Sequence, residues 1–221
     1  MIDKITRKKS KPLRQFAHSL IRNLHKDMKE KYRFDARLVG SAKYNTIMTD
    51  KDGFWDIDYQ ILLTKKSKVY KNNFLTNPSI IKNDFFNYFN NKFKNNKTYR
   101  IENSTTAITL INTKEKYSID FVIIRIYPDN NEIIRRNNKS NSSVNEFTWN
   151  KLPQHNEAYK LFNELSYNEK RDVIENYILP RKYIEKQKDS NDVTKKSSCE
   201  IFIEEVMNYA NRKRNNWLWT K

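Results

Sequence analysis

Three aspartates have the spacing and surroundings of a site that binds divalent cations. Asp56 and Asp58 lie in a segment where apolar and polar residues alternate, Phe54 to Leu63, as in a β-strand with one buried face. Side chains two residues apart in a strand point to the same face, which places these carboxylates about 6–7 Å apart. Asp120 lies within the apolar run from Tyr117 to Ile124, where an uncompensated carboxylate is costly.

If the strand of Asp120 pairs beside the strand of Asp56 and Asp58, the three carboxylates converge. Like charges at such distances resist ionising together. A divalent cation relieves the repulsion, and Mg²⁺ prefers carboxylate oxygens together with substrate phosphate. The Asp-x-Asp pattern also fits the polar outer face of a half-buried strand, and this alternative stays open from the residues alone.

A glycine–serine pair, Gly40 and Ser41, follows a predicted strand over 34–39 and begins a predicted helix over 41–49. Glycine lets the backbone approach an oxyanion, and the start of a helix offers N–H and hydroxyl donors to phosphate. The pair therefore indicates a phosphate-binding turn. A plain turn with an N-cap serine would have the same sequence.

The composition excludes several classes of protein. The chain has only two glycines in 221 residues, Gly40 and Gly53, and it has neither the dinucleotide-binding loop nor the P-loop, which both need glycine where the backbone approaches phosphate. A single cysteine, Cys199, forbids an intrachain disulfide, and we expect a reducing, cytoplasmic location. The three histidines lack a metal-ligand pattern, so zinc is not expected. No apolar run has the length of a membrane span, and no membrane partner is expected.

Three motifs, in this order, resemble those of the DNA polymerase β-like nucleotidyltransferase superfamily: Leu38-Val39-Gly40-Ser41, Trp55-Asp56-Ile57-Asp58 and Ile119-Asp120-Phe121. The resemblance covers about residues 34–126. It implies an α+β fold, with a mixed β-sheet core, flanking helices and a helical C-terminal part. It also implies that Asp56, Asp58 and Asp120 are catalytic and bind two Mg²⁺ ions, with Mn²⁺ as a substitute. Gly40 and Ser41 would then hold the triphosphate of an NTP such as ATP.

A looser similarity is to the branch that holds oligoadenylate synthetases, cyclic GMP–AMP synthase and the bacterial cyclic-oligonucleotide synthases (CD-NTases). That branch has a long helix before Gly-Ser, a phosphate-binding lysine in a K-Y-W-like string, and a serine before a later helix. Lys182-Tyr183-Ile184 is similar, with Ile in place of Trp, and Ser197 or Ser198 precedes the last predicted helix. The resemblance implies that Lys182, Ser197 and Ser198 bind nucleotide. The alternative for Lys182 is an ordinary surface lysine.

The positions of these residues in the fold depend on the helices and strands that the sequence predicts. Apolar periodicity predicts helices over 12–32, 79–94, 155–165, 167–188 with a break at Pro180, and 197–215. It predicts strands over 34–39, 54–63, 98–103, 105–112 and 117–127. We divide the chain into a basic tail (1–11), a nucleotidyltransferase core (12–128), a loop (129–146) and a helical C-terminal region (147–221).

The chain is strongly basic, with 43 Lys and Arg against 26 Asp and Glu. Residues 1–33 hold eleven of these cations and only three acids. Such a surplus attracts polyanions, including RNA or DNA, although a solubilising surface would look the same.

Three functions fit this sequence. The first is a synthase of linear or cyclic oligonucleotide signals from NTPs, of the anti-phage type. The second is a nucleotidyltransferase that acts on tRNA or another RNA end, as a toxin or RNA-modifying enzyme. The third is an inactive nucleic-acid-binding protein, and the intact set of Asp56, Asp58 and Asp120 argues against it.

Overall fold

Seven strands form one mixed sheet in the computed structural model, which describes residues 1–64, 77–126, 131–137, 146–152, 156–189 and 191–218. The strands are β1 (Phe34–Val39), β2 (Trp55–Leu63), β3 (Tyr99–Asn103), β4 (Ala107–Asn112), β5 (Tyr117–Arg125), β6 (Glu132–Arg136) and β7 (Phe147–Lys151). Their order is β1-β2-β5-β4-β3, and β6 pairs with both β5 and β7. Only β2 and β5 are parallel to each other among these strands. The predicted α+β fold class is confirmed.

Two long helices cover one face of this sheet. Residues of β2 alternate between buried and half-buried along the whole strand, because successive side chains point to opposite faces. Helices α1 (Arg7–Met28) and α3 (Pro78–Phe93) pack on the buried face. The ring of Phe89 in α3, for example, stacks on Phe121 of β5 with centroids 4.6 Å apart. The opposite face, which carries the aspartates, is left half-open.

The prediction of a basic tail over 1–11 is wrong. Helix α1 begins at Arg7, where the side chain of Thr6 accepts a hydrogen bond from Lys9 N and caps the helix. Pro12 lies inside the helix rather than at its start. Ile5 is fully buried, and Lys4 forms an isolated β-bridge with Met48. The cap at Thr6, not the proline, therefore sets the start of the helix.

The predicted loop over 129–146 contains a strand. Arg125 in β5 and Glu132 in β6 are register partners, and their side chains form an ion pair. Ile134 is fully buried. Residues 129–130 and 138–145 of the predicted loop lie outside the described residues. The region from 147 onward is predicted to be helical, but it begins with the strand β7. Residues Phe147–Lys151 are extended because they pair with β6.

The remaining helices form a second apolar cluster. They are α2 (Gly40–Lys43), α4 (Asn156–Glu164), α5 (Tyr167–Val173), α6 (Leu179–Gln187) and α7 (Ser198–Leu218). A π-helical segment, Ile174–Ile178, joins α5 to α6. The predicted break at Pro180 is therefore a change from π-helix to α-helix just before the proline, and the chain stays helical. Val173, Phe202 and Val206 lie in the buried centre of the cluster. In the described residues, no helix is both long and apolar enough to span a membrane.

Candidate active site

The three predicted aspartates share one face of the parallel β2–β5 pair. Asp58 and Asp120 are register partners, so their side chains stand side by side on neighbouring strands. Asp56 lies two residues earlier on β2, and its side chain therefore points to the same face. All three are half-buried, which combines access for a ligand with partial exclusion of water.

The grouping of carboxylates disfavours their negative charges. Burial, followed by the neighbouring charges of Asp56 and Asp120, raises the pKa of Asp58 to about 7, and Lys182 opposes this shift. Burial also raises the pKa of Asp120, although a hydrogen bond with Thr109 acts in the opposite direction. Carboxylates that repel one another in this way are suited to a ligand that supplies positive charge.

These carboxylates fit a cation whose coordination shell is completed by oxygens of the substrate. One oxygen of Asp120, Oδ1, is buried and accepts no hydrogen bond from the described residues, which calls for a further partner. In the described part of the chain, no three His, Cys, Asp or Glu side chains surround a single point closely enough to hold a metal ion alone. Mg²⁺ commonly takes only one or two carboxylates and fills its other positions with water and substrate phosphate. Asp56, Asp58 and Asp120 fit a site of that kind.

Gly40 lies against the acidic group and could not be another residue without disturbing it. Its φ is +60°, a conformation that side chains other than glycine's disfavour. A Cβ atom built on it would lie 2.5 Å from Oδ2 of Asp58. The turn that begins at Gly40 is therefore packed directly onto one of the candidate metal-binding carboxylates.

Lys182 is brought to the same turn from the C-terminal helices. Its Nζ donates to Oγ of Ser41 at 2.8 Å and to the carbonyl of Thr46 at 2.5 Å. The side chain is only 2% exposed, so the surface-lysine alternative is wrong. Burial lowers the pKa of Lys182 to about 8, against the raising effect of Asp56 and Asp58. Lys182 and Ser41 thus form one cationic and hydroxyl-bearing group beside the carboxylates.

A cavity of about 250 Å³ gathers most of the predicted residues, with walls that include Gly40, Ser41, Asp56, Asp58, Ser197 and Ser198. The two serines differ in availability. Ser197 exchanges hydrogen bonds with Glu200 at the start of α7, an arrangement that caps the helix. Ser198 is half-buried and makes no side-chain hydrogen bond within the described residues. Ser198 is therefore the freer donor for a ligand, while the roles of both remain predictions.

The sequence did not indicate the aromatic wall of this cavity. Tyr44, Tyr159 and Phe202 line it, and the ring of Tyr44 stacks on Phe202 with centroids 4.7 Å apart. Cys199 also lines it, with Sγ 3.7 Å from the hydroxyl of Tyr159. The spacing of Ser198 and Phe202 on one helical face was the only signal available for this wall. Nothing in the sequence pointed to Tyr159, which comes from a different helix.

No protein-family model matches the sequence, and no curated protein matches it. Solved structures do match the fold. The Escherichia coli DncV structure in its 3′-deoxy GTP bound form has a TM-score of 0.56 and 16% identity, over 78% of this chain and 45% of that one. Vibrio cholerae DncV cyclic AMP-GMP synthase in complex with the linear intermediate 5′-pppA(3′,5′)pG has a TM-score of 0.56 and 14% identity, over 76% and 45%.

A further structure of the Vibrio cholerae enzyme, described as a prokaryotic cGAS homolog, has a TM-score of 0.55 and 16% identity, over 75% of this chain and 42% of that one. The chain thus spans less than half the length of these DncV proteins. The likeness confirms the resemblance at the level of the fold, which is the nucleotidyltransferase fold of DncV.

Proposed function

We propose that this protein is a Mg²⁺-dependent nucleotidyltransferase that moves a nucleoside monophosphate from an NTP to a hydroxyl group and releases pyrophosphate. The observation that carries the proposal is the placement of Asp56, Asp58 and Asp120 on one sheet face, beside the turn of Gly40 and Ser41. The DncV fold supports it, and so do the 3′-deoxy GTP and the linear dinucleotide intermediate in DncV structures. We place the chain with CD-NTase-like synthases of linear or cyclic oligonucleotides.

Each of these site residues has a separate role in the proposed reaction. Ser41, Lys182 and Ser198 bind the triphosphate, with the backbone at Gly40 close to its oxygens. Asp120 orients the attacking hydroxyl and accepts its proton. The hydroxyl oxygen bonds to the α-phosphorus while the bond to the β-phosphate breaks. Mg²⁺ held by one or two of these carboxylates together with triphosphate oxygens would supply positive charge for the nucleophile and the leaving group.

The test compares the wild-type chain with the Asp56→Ala/Asp58→Ala double variant. Each is incubated with four labelled NTPs and Mg²⁺ or Mn²⁺, with no acceptor, and the products are separated by chromatography. We expect a phosphatase-resistant cyclic product or a linear ladder from the wild type and at least a 100-fold loss in the double variant. Asp35→Ala, on an exposed position of β1, is the control and keeps its activity. Equal turnover in a folded double variant contradicts the assignment.

An anti-phage role belongs to the same proposal. A host that carries the wild-type gene should resist phage infection, and the same host with the double variant should not. Protection that survives the loss of the two carboxylates would separate that role from nucleotidyl transfer.

A second candidate function, transfer to an RNA end, is favoured by one observation on α1. Five exposed cations lie along α1 and at its C-terminal cap, on the side opposite the buried residues, and no hydrogen bond or ion pair occupies their side chains within the described residues: Lys8, Lys11, Arg22, Lys26 and Lys29. We call this set the α1 cationic stripe. It extends over about 32 Å, a length that suits a run of phosphates. Product that forms only after RNA is added would favour this candidate over the synthase.

A further inference from the structure

The first five residues are fixed to the segment that follows α2. Ile5 N donates to the carbonyl of Ile47 at 2.9 Å, and Thr49 N donates to the carbonyl of Asp3 at 2.8 Å. Asp3 N donates to the hydroxyl of Thr49 at 2.8 Å. Ile5 is fully buried, so this pairing belongs to the core.

The segment that these residues hold is part of the candidate site. Thr46 N donates to the carbonyl of Ser41 at 2.9 Å, which closes the turn. The carbonyl of Thr46 accepts from Lys182 Nζ, and Thr46 itself lines the cavity. The backbone that anchors Lys182 is therefore held in place by the N-terminal residues.

Arg14 supports the same turn from α1. Its Nη2 donates to the carbonyl of Ala42 at 2.8 Å, and its Nε donates to the hydroxyl of Ser10 at 3.1 Å. Ser10 is fully buried, so the guanidinium is held on both sides. The helix α2 that contains Ala42 has only four residues, and so short a helix leaves its carbonyls without partners of its own.

We infer that Arg14, together with residues 1–5, is a positioning element for the triphosphate-binding turn of Gly40 and Ser41. Arg14 does not touch the nucleotide in this scheme. It fixes the carbonyl next to Ser41, while Asp3 and Ile5 fix the segment that holds Lys182. The inference rests on the proposed function, because it concerns how the same site binds NTP.

The test is a set of α1 variants assayed for NTP turnover, binding of a non-hydrolysable NTP analogue, and thermal unfolding. Arg14→Met should raise the KM for NTP about tenfold, the factor that corresponds to one charge-assisted hydrogen bond, and change kcat less than threefold. Arg14→Lys should recover part of the affinity, since it keeps a donor. Gln15→Met, at the exposed neighbouring position, introduces the same side chain and should leave both constants unchanged.

A purely structural role would lower the unfolding temperature and leave the KM of the folded fraction at its wild-type value, and that result overturns the inference. If Arg14→Met does not fold, Ile5→Ala tests the other half of the element and should also raise KM. A wild-type chain that neither binds nor consumes NTP overturns the proposed function and this inference together. If the wild-type chain is active and the Arg14→Met variant has the wild-type KM, this inference is overturned and the proposed function is not.

Discussion

Gly40 is the position where backbone conformation and carboxylate chemistry meet. The φ of Gly40 is +60°, and a Cβ atom at this position would collide with the carboxylate of Asp58. Both features require glycine here. The other glycine, Gly53, has a φ of +86°, but among the described residues a Cβ there would meet only Cδ of Lys116, at the ordinary contact distance of 3.7 Å. Both positions therefore have a positive φ that favours glycine, and only Gly40 also lies against a candidate metal ligand.

We predict that Gly40→Ala and Gly53→Ala each lower the free energy of unfolding by about 1–2 kcal/mol, because each forces a side chain into a left-handed conformation. Only Gly40→Ala should lose NTP turnover, by about 100-fold, because its Cβ displaces Asp58. Urea unfolding and steady-state kinetics measure the two effects. Equal activities in the two variants would mean that the contact with Asp58 has no role in the reaction.

Lys82 is a buried cation that the proposed reaction does not use. Its side chain is 0% exposed, and its Nζ makes no hydrogen bond to any residue in the described part of the chain. It lies 5.4 Å from the ring centroid of Phe147. Burial lowers the pKa of Lys82 to about 7, the nearby charge of Arg136 adds to the shift, and Asp120 opposes it.

Because the pKa of Lys82 is lower in the folded chain, folding releases its proton between about pH 7 and pH 10.5. Its cost to stability is therefore complete below pH 7 and disappears as the pH rises to 10.5. We predict that Lys82→Met raises the free energy of unfolding by on the order of 3 kcal/mol at pH 6 and about 1 kcal/mol at pH 10. Denaturant titrations at both pH values measure this, with the exposed Lys92→Met as control. A pH-independent difference would show that Lys82 keeps its charge.

At the scale of elements, the sheet was the most predictable part of the chain. The limits of β1, β2, β3, β4 and β5 agree with prediction to within two residues, because their buried faces impose strict alternation on the sequence. The start of α1 and the strand β6 were missed for a physical reason. A cap such as Thr6 and a strand of only five residues, three of them charged, carry little periodic signal.

The site was predictable only in part for a related reason. The motif residues Asp56, Asp58, Asp120, Gly40 and Ser41 lie in short segments whose spacing is visible in the sequence. The burial of Lys182 and the aromatic wall depend on how α4, α6 and α7 pack against α2, and that packing is set by contacts over more than 100 residues of sequence.

This packing leads to a prediction for Phe202 in α7. Its ring stacks on Tyr44, which directly follows α2, and on Tyr159 of α4, and it forms part of the cavity wall. Phe202→Leu should lower the free energy of unfolding by about 1 kcal/mol and raise the KM for NTP severalfold. Phe85→Leu, in the fully buried core under the sheet, should cost similar stability and leave KM unchanged. If both variants keep a normal KM, the aromatic wall does not bind the nucleotide.

At the scale of the whole molecule, two charged regions are separated in the fold. The acidic group of Asp56, Asp58 and Asp120 lies on the open face of the sheet, while α1 packs on the opposite face through its buried residues. The α1 cationic stripe points away from that sheet. A ligand held by the stripe and an NTP at the aspartates would therefore occupy different surfaces.

That separation permits an experiment on the stripe alone. Replacing its five residues with Gln should abolish salt-sensitive RNA binding and leave RNA-independent NTP turnover unchanged. If the stripe contacts five phosphates, the logarithm of the binding constant should fall against the logarithm of salt concentration with a slope between about −3 and −5 in the wild type. The slope should approach zero in the variant, as filter binding at several salt concentrations can measure.

A control with the same change in charge shows whether the position of these cations matters. Five exposed lysines elsewhere on the chain can be replaced by Gln: Lys92, Lys94, Lys97, Lys114 and Lys151. If RNA binding depends on net charge alone, both five-residue variants weaken it equally, and the stripe is only a solubilising surface. If the control binds like the wild type and the stripe variant does not, the opposite face of α1 is a nucleic-acid surface, and the excess charge of the first 33 residues has a purpose separate from the nucleotide site.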